Sequence, residues 1–219
     1  MERHFEDRYA AGRHLVGALQ AYAGRRDVVV LALARGGVPV GYEVAKALGA
    51  DFDVFIVRKL GLPSNPELAM GAIASGGAIE LNRNVIAMSG VTQRDIEGVM
   101  AEEYRELERR EALYRGSRPP AQVEGRTVIV VDDGIATGAS MRAALKALRT
   151  RKPAKIIVAV PVAPADAPQW LRDASDEFIC ALSPADFRAV GQFYRHFGQT
   201  SDDEVRALIA RFDSAGAPK

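Results

Sequence analysis

Short apolar runs alternate along the chain with longer stretches in which apolar residues recur every three or four positions. Continuous apolar runs bounded by turn residues are typical of strands covered on both faces, and the longer spacing is typical of amphipathic helices. The apolar runs predict five strands, at residues 27–33, 52–57, 126–131, 155–162 and 176–182. The periodic stretches predict helices at residues 5–23, 38–48, 92–115 and 164–173, one after the glycine-rich loop that ends at Ser140, and one in the tail from Ser201.

This alternation predicts an α/β fold, a parallel β-sheet core flanked by helices. The chain has 219 residues, of which 48% are hydrophobic, so it is long enough to bury a sizeable core without disulfides or metals. We expect a single domain, residues 1–219, with its core at about 27–182. Residues 60–90 carry much glycine, two prolines and weak periodicity, which indicates a long loop with a hairpin inside it.

The helix at 92–115 contains most of the charge pattern. Thr92 and Asp95 have the spacing of a capping box at its start. Further along, glutamates and arginines stand four residues apart and can pair, as Glu106 with Arg110 and Glu111 with Arg115. We expect these charges to form a solvated face.

Polar clusters follow three of the predicted strands. They are Arg35-Gly36-Gly37, Arg58-Lys59 and Asp132-Asp133. In parallel α/β sheets, ligands bind at the carboxyl ends of the strands. We therefore expect the three clusters to converge on one site.

The segment "DDGIATGAS", residues 132–140, combines two carboxylates with an anion-binding loop. Its small residues let backbone N–H groups approach a ligand, and the helix that follows favours an anion at its start. Thr137 and Ser140 add hydroxyl donors. Asp132 and Asp133 would repel a phosphate but would accept hydrogen bonds from hydroxyl groups, so the segment suits a ribose 5-phosphate. The alternative is that the two aspartates are only turn and cap residues.

The two basic clusters give weaker evidence. Arg35 could hold a phosphate with two parallel hydrogen bonds, and the glycines after it suit a second anion site. The alternative is a tight strand-to-helix turn with a surface arginine. Arg58 and Lys59 fit a phosphate grip and surface charges equally well. Taken together, the clusters predict a positively charged pocket over Arg35 and Arg58.

Composition excludes several classes of function. Formal net charge is +1, from 29 basic and 28 acidic residues, so nucleic acid is not an expected partner. The single cysteine, Cys180, lies in an apolar run and is expected to be a small buried residue. No run reaches membrane-spanning length and the N-terminus has no apolar signal core, so we expect a soluble cytoplasmic protein without a membrane partner.

The segment "VIVVDDGIATGAS", residues 128–140, resembles the phosphoribosyl pyrophosphate motif of the type I phosphoribosyltransferases. The segments "ARGG", "VRK", "PELAMGA" and "FRAVGQFY" resemble bacterial stand-alone proteins of that family. The resemblance implies the type I phosphoribosyltransferase fold. It also implies a small hood over the site, here formed by residues 1–25 and 183–215.

The resemblance implies a role for each cluster. The ribose and its 5-phosphate would be bound by Asp132, Asp133, Gly134, Ala136, Thr137, Gly138, Ala139 and Ser140. Pyrophosphate would be bound by Arg35, Gly36 and Gly37, in a loop where the family often has a cis peptide that does not involve proline. Arg58, Lys59 and Asp133 would be the catalytic residues, and residues 60–80 a flap over the reacting centre. Asp132 and Asp133 would also hold the Mg²⁺ cofactor.

The implied reaction transfers ribose 5-phosphate from phosphoribosyl pyrophosphate to an unknown nitrogenous acceptor. Members that act on 6-oxopurines usually have an acid at the position of Ala136 and a lysine at that of Ala139, so we do not expect a 6-oxopurine acceptor. An aromatic residue of the tail could stack on a base, but such residues are more often part of the core. The tail offers Phe187, Phe193, Tyr194 and Phe197. Two further assignments stay open. His196 could be a general base or a packing or surface residue. Glu67 could be a catalytic residue or the cap of a short helix.

Two further hypotheses stay beside the enzyme. One is a regulatory module that keeps the phosphoribosyl pyrophosphate site without catalysis. The weaker one is a phosphohydrolase, for which no nucleophile is evident. A homodimer is expected from the resemblance.

Overall fold

The computed structural model describes residues 4–166 and 169–215. Its strands are β1 Val28–Ala34, β2 Asp51–Leu62, β3 Asn65–Ala74, β4 Ala78–Leu81, β5 Thr127–Val131, β6 Lys155–Val162 and β7 Glu177–Leu182. Its α-helices are α1 Arg8–Val16, α2 Gly37–Leu48, α3 Arg83–Ser89, α4 Gln93–Arg115, α5 Ala139–Thr150, α6 Gln169–Ala174 and α7 Asp202–Ser214. Short 3₁₀ helices cover Gly17–Tyr22 and Val190–Phe193.

In the described part of the chain, seven strands form one sheet in the order β4-β3-β2-β1-β5-β6-β7. The five predicted strands are its parallel part, from β2 to β7. The predicted fold class, a mostly parallel sheet flanked by helices, is confirmed. The carboxyl ends of β1 and β5, which are neighbours in the sheet, therefore lie side by side.

The central strands β1, β5 and β6 are almost entirely apolar because both of their faces are covered. Val28, Val30 and Ala32 of β1 pack in one hydrophobic cluster, with helices α2 and α7. The alternate residues of β1 pack in a second cluster, with α5 and α6. The predicted apolar face of α5 is buried there, through Met141, Ala144, Leu145 and Leu148. No helix in the described ranges is both long and apolar enough to cross a membrane.

Residues 60–90 are more regular than predicted. Strand β2 does not end at Arg58-Lys59 but continues to Leu62 and pairs with β3 in antiparallel fashion. The hairpin expected inside this segment is present as β3 and β4, which pair in antiparallel fashion, and helix α3 follows where a loop was expected. The periodicity is weak there because the outer half of β3, up to Leu68, is exposed and the pairing is irregular around Gly61.

Helix α6 starts later than predicted. It spans Gln169–Ala174, against an expected 164–173, and residues 167 and 168 lie outside the described residues. The tail helix α7 begins after Ser201, whose side chain accepts a hydrogen bond from the Glu204 N–H. Its predicted apolar face is buried, through Val205, Leu208, Ile209 and Phe212.

The charged helix α4 is only partly a solvated face. Its predicted capping box and both predicted i,i+4 ion pairs are present. Arg115 at its end, however, is 7% exposed and turns inward to Asp53 of β2. The helix is thus anchored to the sheet by a buried charge at its C-terminal end.

Asp53 collects donors from several segments. The Asp53 carboxylate accepts hydrogen bonds from Arg115 Nε at 3.2 Å, Arg118 Nη2 at 2.7 Å and the Ala121 N–H at 2.8 Å. Its side chain is only 2% exposed. A buried carboxylate is tolerated because these donors replace the water that it has lost.

We predict that Asp53→Asn lowers the free energy of unfolding by about 3–5 kcal/mol, because the two arginines then lose their buried counter-charge. Asp51→Asn is the matched control, since Asp51 pairs with Arg126 but is 45% exposed. It should cost less than about 1 kcal/mol. Denaturant unfolding measures both, and equal losses for the two variants would contradict the assignment.

Candidate functional site

The loop after β1 and the acid pair after β5 are in direct contact. A Cβ on Gly36 would lie 2.2 Å from Asp133 Oδ2, and one on Gly37 would lie 2.8 Å from Asp132 Cα. The peptide between Ala34 and Arg35 is cis, in the loop where the resemblance implied such a bond. The structure therefore brings together two of the three predicted clusters, and glycine is required because no side chain fits between them.

The acid pair is held by local and distant groups. The Asp133 N–H donates to Asp132 Oδ1 at 2.9 Å, which ties the two residues together. Burial, followed by the charge of Asp133, raises the pKa of Asp132 well above its usual value. Burial also raises the pKa of Asp133, although the charge of Arg8 opposes the rise. Both shifts have the same cause, since a carboxylate away from water is costly.

Arg8 and Tyr194 both contact Asp133, which sequence reasoning did not anticipate. Arg8 is the first residue of α1, and its Nε donates to Asp133 Oδ2 at 2.8 Å. Tyr194 supports the same residue by donating its hydroxyl to the Asp133 carbonyl at 2.6 Å. Burial raises the pKa of the Tyr194 phenol, so this donor stays protonated. The resemblance indicated a hood at both chain ends, but no motif around Arg8 named its partner 125 residues away.

The loop after the acid pair has the shape of an anion-binding site. It lines a cleft of about 190 Å³ that includes Ala136, Thr137, Gly138, Ala139 and Ser140. Gly138 has φ +74°, and a Cβ there would lie 2.4 Å from the ring of Trp170, so glycine is required on both counts. Helix α5 begins at the next residue, and its free N–H groups favour an anion.

A second cleft of about 640 Å³ borders this loop at Thr137 and Ala139 and runs along α5. Its rim carries Arg83, Arg142 and Lys146. Arg142 lies over the Trp170 ring at 4.2 Å, and Lys146 pairs with Glu80. Positive charge near the loop thus comes from α5 and α3, which the sequence interpretation did not anticipate.

Arg35 and Arg58, over which a positive pocket was expected, are each paired with a carboxylate. Arg35 lies 3.5 Å from Asp202 of α7, and Arg58 lies 2.6 Å from Glu103 of α4. Lys59 is 3.4 Å from Glu67, and the Glu67 side chain is 93% exposed. Each predicted cation is therefore paired with a carboxylate from a different element. These pairings could not be predicted from the sequence, because the partners are distant along the chain or lie in a segment whose structure was not predicted.

The aromatic residues of the tail belong mainly to the hydrophobic core, which was the alternative to stacking on a base. Phe193 and Tyr194 are buried, and Phe187 stacks on Phe193 with 5.6 Å between ring centroids. Phe197 is 37% exposed and lies under the Arg8 guanidinium. His196 is a surface residue, 77% exposed and 3.3 Å from Glu6.

Cys180 is only partly buried, so the prediction of a fully buried residue is wrong. Burial still raises the pKa of its thiol, which suits a packing residue.

No group of three or more metal-ligating side chains forms within the described ranges. The acid pair offers Asp132 Oδ2 and Asp133 Oδ1, which have no protein partner in the described residues. Mg²⁺ commonly binds through one or two carboxylates plus substrate phosphates, so the pair suits such a shared ion.

Comparison with known proteins gives consistent results. A family model described as "Phosphoribosyl transferase domain" matches residues 4–187. Two proteins of Mycobacterium tuberculosis, from strains CDC 1551 and H37Rv and provisionally named phosphoribosyl transferases, are each 45% identical over 217 residues. The match covers 97% of this chain and 49% of theirs, so the chain spans about half the length of these relatives. The crystal structure of TT1426 from Thermus thermophilus is 42% identical, with a TM-score of 0.80, and the match covers 95% of this chain and 98% of that one.

We predict that Asp132→Asn stabilises the protein at neutral pH. The folded state raises the pKa of Asp132, so it favours the protonated form and loses stability as the pH rises through the folded value. Asparagine is neutral at every pH and keeps the oxygen that accepts the Asp133 N–H. Each pKa unit of the rise corresponds to about 1.4 kcal/mol.

Thermal unfolding at pH 7 and near pH 3 measures this difference. The melting temperature of the variant should exceed that of the wild type at pH 7, and the gap should close near pH 3. A variant that is less stable at pH 7 would show that Asp132 contributes favourable native contacts as an anion.

Proposed function

We propose, since the chain belongs to the phosphoribosyl transferase family, that it transfers ribose 5-phosphate from phosphoribosyl pyrophosphate to a nitrogenous acceptor and releases pyrophosphate. The observation that carries the proposal is the contact between the acid pair, the anion-binding loop after it and the glycine loop after β1. These three features offer acceptors for hydroxyl groups and donors for phosphate within one site.

The ribose half of the substrate matches the acid pair. Asp132 Oδ2 and Asp133 Oδ1 have no protein partner in the described residues, so each can accept a hydrogen bond from one of two neighbouring ribose hydroxyls. The 5-phosphate would lie at the start of α5, where Thr137 and Ser140 are exposed beside free backbone N–H groups. Charge-assisted hydrogen bonds of this type are about twice as strong as neutral ones.

The pyrophosphate half matches the loop after β1. Gly36 and Gly37 open α2, so backbone N–H groups and the helix dipole lie next to the acid pair. Arg35 follows the same strand. Arg58 and Lys59 lie one strand further along and would have to exchange Glu103 and Glu67 for the ligand. Their proposed catalytic role therefore depends on the substrate's charge outcompeting two side-chain carboxylates.

The chemistry needs little from the protein beyond placement and charge. The bond between the anomeric carbon and pyrophosphate breaks, and a bond from the acceptor nitrogen to that carbon forms. Positive charge develops on the ribose ring between these events, and Asp133 would stabilise that charge. The backbone N–H groups of the glycine loop would stabilise the leaving pyrophosphate, and the hood would exclude water.

Mg²⁺ belongs to this proposal as a shared ligand of substrate and protein. Asp132 and Asp133 would hold it, together with substrate oxygens, since no larger cluster of metal ligands exists in the described ranges. Bound there, it would neutralise charge on the substrate. In this proposal Asp132 and Asp133 are the two protein side chains that bind the ribose, either directly or through the metal ion.

The acceptor is proposed by exclusion. Ala136 and Ala139 provide neither the acid nor the lysine that 6-oxopurine members usually carry, so we propose a different nitrogenous acceptor. Cytoplasmic location and a homodimer belong to the same proposal. The alternative, a regulatory module, keeps ligand binding but releases no pyrophosphate.

We predict that phosphoribosyl pyrophosphate binds the wild type without Mg²⁺ and binds it more tightly when Mg²⁺ is present. The double variant Asp132→Asn with Asp133→Asn should bind at least about 100-fold more weakly, because hydrogen bonds to charged groups contribute about 1.5–3 kcal/mol each. Calorimetric titration with and without Mg²⁺ measures both. Pyrophosphate release during an acceptor screen then separates the enzyme from the regulatory module.

Asp51→Asn serves again as the control, since Asp51 lies at the opposite end of the sheet. It should bind like the wild type. If the double variant also bound like the wild type, the ribose assignment would be wrong.

A further inference from the structure

We propose that Arg8 is a positioning residue for ribose binding, which holds one oxygen of Asp133 from the hood and leaves the other for a ribose hydroxyl. The inference rests on the proposed function. It assigns a role to a residue at the start of the chain, outside every motif that the sequence presented.

Arg8 is fixed in place by the beginning of α1. Asp7 caps this helix, its side chain accepting from the Ala10 N–H at 2.7 Å. The Arg8 side chain is 12% exposed and the Asp133 side chain 15% exposed. The 2.8 Å ion pair is thus largely shielded from water, where a charge pair is worth more than at the surface.

Two further contacts of Arg8 come from the C-terminal segment. Its Nη1 donates to the Gly198 carbonyl at 2.6 Å, and its guanidinium lies 3.9 Å from the centre of the Phe197 ring. That segment is bonded to the N-terminal segment, through Phe5 N to the Phe193 carbonyl at 2.8 Å and His196 N to the Glu6 carbonyl at 2.9 Å. One guanidinium therefore joins both chain ends to the acid pair.

The contacts leave Asp133 little freedom. Gly36 closes one side of the carboxylate, Arg8 bonds Oδ2, and Tyr194 holds the backbone carbonyl. Oδ1 accepts no hydrogen bond from another residue in the described part of the chain. A carboxylate fixed in this way presents a single acceptor in a defined direction, which is the requirement for binding one ribose hydroxyl.

Arg8 is also the cation in contact with the acid pair among the residues that the structure describes. Arg35 and Arg58, the other cations predicted for this site, pair with Asp202 and Glu103. Loss of Arg8 would leave two adjacent carboxylates without their contacting counter-charge. A divalent cation could replace that charge in part, which gives the proposal a measurable signature.

Lysine cannot reproduce this arrangement. An arginine bonds Asp133 and Gly198 through different nitrogens while its flat face rests on Phe197. An ammonium group supplies the charge without that fixed geometry. Arg8→Lys should therefore retain part of the effect and Arg8→Gln none.

The experiment is calorimetric titration of phosphoribosyl pyrophosphate, with and without saturating Mg²⁺, into the wild type, Arg8→Gln, Arg8→Lys and Arg13→Gln. Arg13 is the control, on the same helix, 59% exposed and 3.3 Å from Glu43. We expect Arg8→Gln to weaken Mg²⁺-free binding by about tenfold to a hundredfold, the contribution of one charged hydrogen bond. The loss should be clearly smaller with Mg²⁺, Arg8→Lys should fall between, and Arg13→Gln should stay within about twofold of the wild type.

Each of the other outcomes contradicts either the proposed function or the proposed role of Arg8. A wild type that does not bind overturns the proposed function. A wild type that binds, with Arg8→Gln binding equally or more tightly, overturns the role of Arg8 alone. Equal losses with and without Mg²⁺, in both Arg8 variants and with a lowered melting temperature, would show that Arg8 only stabilises the hood.

Discussion

Two adjacent carboxylates at the end of a buried strand are costly, and much of the surrounding structure compensates for them. Asp132 and Asp133 follow β5, which is buried along its whole length. Gly36 and Gly37, at the start of α2, lie against them, where the helix dipole favours negative charge. Arg8 adds a full positive charge from the other side. Even so, burial and the charge of Asp133 raise the pKa of Asp132 above its usual value.

The features that could be predicted from sequence are those with local causes. Continuous apolar runs gave the five parallel strands, because a strand covered on both faces has no polar alternation. The acid pair and the small-residue loop lie within nine consecutive residues, so their common site follows from the chain itself. Contact between this segment and Gly36 follows from the parallel order of neighbouring strands.

The features that were missed depend on distant partners or on weak patterns. Strand β3 contains small residues and is exposed in its outer half. Its sequence therefore shows neither the two-residue alternation of a strand nor the three-to-four-residue spacing of a helix. Arg35 and Arg58 looked free until α7 and α4 placed Asp202 and Glu103 beside them. Arg8 is one arginine among several near the N-terminus, and only the folded chain shows that it meets Asp133.

The most direct test of the proposed ribose site is a crystal structure of the protein soaked with ribose 5-phosphate. We expect phosphate oxygens about 2.7–3.2 Å from the backbone nitrogens of residues 136–140, and ring hydroxyls at the same distance from the carboxylate oxygens of Asp132 and Asp133. Arg8 should still contact Asp133. A phosphate bound instead in the cleft beside Arg83 and Arg142, with the acid pair untouched, would contradict the assignment of the ribose site.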